Sequence, residues 1–97
     1  MVYKLEIWNK AKIEIIEGYF WYESKKSNLG FEFIEEVEEM FEYINKYPEH
    51  YQIKYKERYR EAVLKRFPYL IIYEIIQQTM VVYAVFPTKD YPNKKPT

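Results

Sequence analysis

The chain contains no cysteine, which excludes a disulfide framework, a thiolate nucleophile and cysteine-ligated zinc or iron–sulfur sites. The same absence points to a reducing, cytoplasmic compartment. Glycine is nearly missing as well. Gly18 and Gly30 are the only two, each inside or beside a helical pattern, so no glycine-rich loop is available to cradle a phosphate. Histidine occurs once, as His50, and without a second imidazole or a thiolate a transition-metal centre has too few ligands. Ser24 and Ser27 have no histidine and acid near them in sequence, so no serine triad is assembled. We therefore expect no catalytic residue, no metal and no cofactor. No apolar run approaches the roughly 18 residues of a membrane span. Lys4, Glu6, Lys10 and Lys12 break the N-terminal stretch where a signal peptide would be apolar. An excess of charge is also lacking: 15 basic groups balance 15 acidic ones, so the molecule as a whole does not attract nucleic acid, and direct nucleic-acid binding is not expected.

What the chain does have is rings: 12 tyrosines, 6 phenylalanines and 2 tryptophans among 97 residues. With 48% hydrophobic residues it is too apolar to remain disordered, and its length suits a single domain spanning residues 1–97. The charges are segregated. Residues 27–50 hold one lysine against seven glutamates, whereas residues 51–66 hold six basic groups against two acidic ones. Such a split describes either two solvated elements or a binding surface.

Residues 2–8 alternate in the period-two manner of a half-buried strand. Asn9 is a candidate cap for a helix running to about Lys26, with Ala11, Ile15, Tyr19 and Tyr22 on its inner face and Ile13, Ile16 and Phe20 widening that face. Gly18 inside it costs about 1 kcal/mol relative to alanine unless another element must come close. After a break at Ser27-Asn28, a second helix sets Phe33, Val37, Met40, Phe41 and Ile44 against a glutamate-rich face, and Pro48 ends it. The pairs Glu35/Glu39 and Glu38/Glu42 on that face are read as solvated carboxylates. Beyond Pro48 the period returns to two. Residues 59–66 read as a strand, Phe67-Pro68 as a corner, 69–76 as an apolar strand, Gln77-Gln78 as a turn and 80–86 as a last strand. The order β-α-α-β-β-β predicts an α+β fold, a helical hairpin packed on one face of a mostly antiparallel four-stranded sheet. Residues 87–97, with three prolines and three lysines, read as a flexible basic tail.

The cluster Lys54, Lys56, Arg58, Arg60, Lys65 and Arg66, interleaved with Tyr51, Tyr55 and Tyr59, suits either phosphates and bases or an acidic protein partner. If the hairpin covers one sheet face, the apolar strand 69–76 leaves side chains on the other. A partner helix, a second copy forming a homodimer, or the 87–97 arm would have to cover them. On this reading the partner-binding residues are Arg58, Arg60, Leu64, Lys65, Arg66, Leu70, Ile72 and Lys89. The expected occupant is an acidic amphipathic helix.

The run from Arg60 to Tyr73, with Phe67-Pro68-Tyr69 at its corner, followed by Val81–Phe86, resembles the ParE branch of the RelE/ParE toxin superfamily. Leu29-Gly30-Phe31 opening the second helix fits the same pattern, so the resemblance covers nearly the whole chain. It implies a type II toxin neutralised by a cognate antitoxin. Within that superfamily the RelE branch cleaves messenger RNA on the ribosome, and the ParE branch is associated with inhibition of DNA gyrase. Position matching favours the latter. Leu70 stands where the RelE pattern has its catalytic arginine, and Glu61 and Val63 stand near the expected lysine pair. The basic, tyrosine-bearing end is represented by Lys89 and Tyr91. The alternatives are a ribonuclease using Arg60, Lys65, Arg66 and Lys89, or an inactive homologue that retains only antitoxin binding.

Overall fold

The strongest sequence pattern becomes the longest element. In the computed structural model, which describes residues 3–90 without the side chains of Tyr55 and Asp90, helix α2 runs Leu29–Lys46 and buries Phe33, Val37, Met40, Phe41 and Ile44. Its glutamates stand outside because their charges are costly to desolvate. The helix start is held from a distance: Asn28 adopts a left-handed backbone, φ 73°, with no side-chain cap of its own. Glu23 accepts the amides of Asn28 and Gly30 at 2.9 and 3.0 Å, satisfying donors that a helix start leaves open.

Helix α1 occupies Asn9–Lys25, with Trp8 in the cap position; Asn9 is its first residue, not its cap. Its buried line is Ala11, Glu14 and Gly18. Ile13, Ile16 and Phe20, expected to widen the inner face, are 56%, 54% and 64% exposed. The correction has a packing cause. Small residues let α1 lie close to its neighbours: a Cβ on Gly18 would sit 2.7 Å from the Phe33 ring, and one on Gly30 would sit 2.6 Å from the Tyr19 carbonyl oxygen.

The sheet has five strands in the order β1-β5-β4-β3-β2. They are β1 Lys4–Ile7, β2 Ile53–Tyr55, β3 Tyr59–Val63, β4 Tyr69–Ile76 and β5 Thr79–Pro87. Strand β2, three residues that pair antiparallel with β3, is one more than expected. It is too short to show a period. Strands β2 to β5 form an antiparallel meander, while β1 lies parallel to β5 at the edge. Strand β1 is shorter and more exposed than its alternation suggests. On β5, Ile72 pairs with Ala84 and Tyr73 with Val82, so Tyr83 is an extra residue, a bulge that re-phases the strand.

Two clusters divide the sheet by face. Ala62, Leu64, Tyr69, Ile71, Tyr73, Met80, Val82 and Val85 join the helices in the main core. Tyr59, Leu70, Ile72, Val81, Tyr83, Ala84 and Phe86 form a second buried cluster on the opposite face. Residues 69–73 of β4 are thus buried on both faces, as their composition implies, whereas the strand's end opens to solvent and Ile76 is exposed. Among the described residues no helix is long and apolar enough to cross a membrane. Of the tail expected over residues 87–97, Pro87 instead ends β5 opposite Tyr69 and Thr88–Asp90 form a 3-10 turn, the Thr88 amide donating to the Pro68 carbonyl at 2.8 Å; the rest lies outside the described residues.

Candidate partner-binding surface

The alternation of β3 and β4 distributes the candidate residues over different surroundings. Arg60, Ala62 and Leu64 share one side of β3, as the period of two requires, but that side lies under the helices: Ala62 and Leu64 belong to the main core. Arg60 donates from Nη1 to the Tyr51 carbonyl at 2.6 Å. Leu70 and Ile72 lie in the second cluster, on the face turned away from the helices.

Lys65 and Arg66 sit in the β3–β4 connection and meet α2. The Glu36 carboxylate accepts the Lys65 amide at 2.5 Å and the Arg66 amide at 3.0 Å. The Arg66 guanidinium also donates to Glu32 at 2.5 Å. That hydrogen bond, reinforced by the guanidinium charge, holds the Glu32 carboxyl below its ordinary range and pushes the Arg66 pKa up. Part of the acidic-then-basic charge split is therefore an intramolecular clasp between α2 and the sheet.

Arg58 takes part in a polar network. Its guanidinium lies 4.7 Å from the Tyr59 ring centre, donates to the Tyr59 hydroxyl and reaches within 3.8 Å of Glu74. The Tyr83 hydroxyl donates to the same carboxylate at 2.6 Å. Burial first, then the hydrogen bond to Glu74, pushes the Tyr83 phenol up. Lys54 and Lys56 remain exposed on the β2–β3 hairpin, whose turn is bent by left-handed Lys56 and Glu57, φ 55° and 57°. Lys89, in a 3-10 turn at Thr88–Asp90, has its ammonium 5.9 Å from the Trp21 ring. It lines a cleft of about 540 Å³ with Glu14, Glu17, Tyr22, Tyr69 and Phe86. The candidate residues thus form no single patch.

Sequence reasoning missed two polar anchors. Glu14, only 8% exposed, accepts the Val85 amide at 2.8 Å and pairs with Lys10 at 2.9 Å. Its place between Ala11 and Gly18, on the line of smallest side chains, was the available signal. Asn45 binds both backbone groups of Tyr3, and nothing local in sequence announces that. His50 accepts or donates a hydrogen bond with Tyr43 at 3.1 Å, and among the described residues no cluster of three or more metal-ligating side chains occurs.

Against this geometry, a family model described as "ParE toxin of type II toxin-antitoxin system, parDE" matches residues 6–91. The chain belongs to the ParE toxin family. Among solved structures, this ParE toxin is similar to a chain of the "Chromosomal ParDE TA system from P. aeruginosa", with a TM-score of 0.78 at 11% identity. The match covers 89% of this chain and 96% of that one, which establishes the shared fold. No curated protein matches the sequence. The match of the helical hairpin and sheet to a ParE-like structure agrees with the α+β architecture expected from the residues.

Proposed function

We propose that this ParE toxin acts by binding a protein target, DNA gyrase, in the cytoplasm, and that a cognate antitoxin neutralises it by binding in turn. The observation that carries this reading is the burial of Leu70 with Ile72 and Phe86 in the second cluster, at the position where a RelE-type ribonuclease has its arginine. Cleavage of a phosphodiester on that face needs cations around the developing charge. Instead, Glu61, paired in register with Ile72, keeps a buried carboxylate oxygen with no hydrogen-bond partner among the described residues. A phosphate brought there would be repelled. The substitute set is dispersed over separate partners: Arg60 on the Tyr51 carbonyl, Arg66 on Glu32, Lys89 beside Trp21.

The test is induced expression with and without the neighbouring antitoxin reading frame, scoring plasmid supercoiling and messenger integrity together. The expected result is growth arrest with altered supercoiling, intact messages, and rescue by the antitoxin. Message cleavage in the decoding site, abolished by Arg60→Ala, would overturn it in favour of the ribonuclease. Absence of any arrest would mark an inactive homologue.

A further inference from the structure

The two edges of the sheet are finished differently. Strand β2 is blunted by its length, by the left-handed turn that follows and by Lys54 and Lys56, the usual devices against strand addition. Strand β1 is not. Lys4 donates to the Gln78 carbonyl at 2.8 Å and Trp8 to the Val82 carbonyl at 3.0 Å, so the backbone N–H and C=O groups of the even-numbered residues of β1 point to β5 and those of Tyr3, Leu5 and Ile7 point away from the sheet. At Tyr3 the outward pair is satisfied by Asn45, whose amide accepts from the Tyr3 N–H at 3.0 Å and donates to its carbonyl at 2.7 Å. The side chain there does what a neighbouring strand would do. Among the described residues nothing takes the same role at Leu5 and Ile7.

Beside these two residues lies an apolar groove of about 980 Å³, lined by Leu5, Ile7, Ile15, Ile34, Val37 and Phe41. Leu5 is 41% exposed in it. Glu38, Glu42, Asn45 and Lys46 of α2 also line it; two carboxylates against one ammonium leave its border net acidic.

We propose that the outer edge of β1 and this groove form a docking site for an extended, basic segment of a partner protein. The segment adds a strand against Leu5 and Ile7, sends alternate aliphatic side chains into the groove and sets lysine or arginine against Glu38 and Glu42. Backbone pairing supplies the register, and the groove the affinity. A second copy fits less well. The antiparallel register that joins the open residues, Leu5 against Ile7, sets Glu6 opposite Glu6, and like charges directly opposed destabilise a pair. The inference rests on the reading that a protein partner holds this toxin, and it adds the site and the chemistry of that segment.

The test uses the full chain and two short synthetic peptides, one alternating isoleucine with lysine and one alternating isoleucine with glutamate, followed by amide hydrogen exchange. The basic peptide should slow exchange at Leu5 and Ile7, and the acidic one should not. The double variant Glu38→Lys/Glu42→Lys, on the solvent side of α2, should weaken the basic peptide about tenfold at low salt. Leu5→Thr, which keeps a strand-forming residue, should weaken it as well. Equal binding of the acidic peptide, no binding at millimolar concentration, or binding without protection of Leu5 and Ile7 would each overturn the proposal. Concentration-dependent protection of those amides without peptide would assign the edge to a second copy instead. Because the toxicity assay contains no peptide, failure here leaves the toxin reading standing, and loss of toxicity leaves this measurement readable.

Discussion

The Glu14 carboxylate accepts the Val85 amide at 2.8 Å across the interface between α1 and β5. Strand β1 stops pairing at Ile7 opposite Val82, while β5 continues to Pro87. Beyond the end of β1, a helix side chain takes over the acceptor role. Lys10, at 2.9 Å, balances the charge that this burial costs.

Glu14→Ala should therefore destabilise the fold by about 1–3 kcal/mol, the cost of leaving a buried amide without its acceptor. Glu14→Gln keeps an acceptor oxygen and should cost less. Chemical denaturation of the two variants side by side checks the order; equal losses would mean that the charge, not the acceptor, is what β5 needs.

The helical glycines give a second ordered pair. Gly18→Ala gains helix propensity of about 1 kcal/mol but drives its methyl group to 2.7 Å from the Phe33 ring and 3.1 Å from the Tyr69 hydroxyl oxygen. Overpacking of this kind costs about 1–3 kcal/mol, so the net change should be destabilising. Gly30→Ala meets the Tyr19 backbone oxygen at 2.6 Å, which cannot rotate away, and should be the worse of the two. Thermal melts of both variants rank them.

These contacts also show where the sequence was legible. Helix α2 was readable because its apolar residues recur at helical spacing and its charges do not. Strands β4 and β5 were readable because a continuous β-branched and aromatic run between turn residues has few other solutions. Ile13, Ile16 and Phe20 misled because hydrophobicity alone does not say which face of α1 is inward; close approach at Gly18 and Gly30 decided that. The basic cluster was visible as composition. Its division between Tyr51, Glu32, Glu36 and Glu74 depends on partners distant in sequence, which no local pattern encodes.

Alkaline stability follows from Tyr73. Burial, the largest cause, pushes its phenol up to about 12, and its hydroxyl donates to the Pro48 carbonyl at 3.1 Å. A raised folded value means that the protonated phenol is favoured by the native state. Its contribution is complete below the unfolded value near 10 and is lost as pH rises toward 12. Stability should fall across that interval. Tyr73→Phe should cost about 1 kcal/mol at neutral pH through the lost hydrogen bond and should flatten part of the alkaline decline. The remainder belongs to Tyr83, also pushed up by burial and by Glu74, and to Tyr22 and Tyr51, both pushed up first by burial. Urea titrations at stepped pH isolate the Tyr73 share; an unchanged slope in Tyr73→Phe would show that its ionisation is not coupled to unfolding.

The acidic limb has the opposite sign and bears on partner binding. The Arg66 hydrogen bond depresses the Glu32 carboxyl, so its contribution is present above the unfolded carboxylate value and is lost as pH falls through the folded one. Arg66→Gln should return Glu32 to the ordinary range in a carboxyl titration followed by NMR. The small gap in melting temperature between variant and parent should close in acid and in high salt, because the pair is exposed. Because Arg66 is already held by α2, reversing it to glutamate should act first on this clasp and only weakly on encounter with a partner. Lys54 and Lys56 are exposed on the β2–β3 hairpin. Reversing both to glutamate should slow association with an acidic partner several-fold in low salt while leaving the melting temperature nearly unchanged, since rim charges act mainly on encounter. Stopped-flow association at two ionic strengths separates these effects. If Arg66→Glu slows association as much as the double lysine reversal does, the partner engages the β3–β4 connection directly, and the clasp must open when it binds.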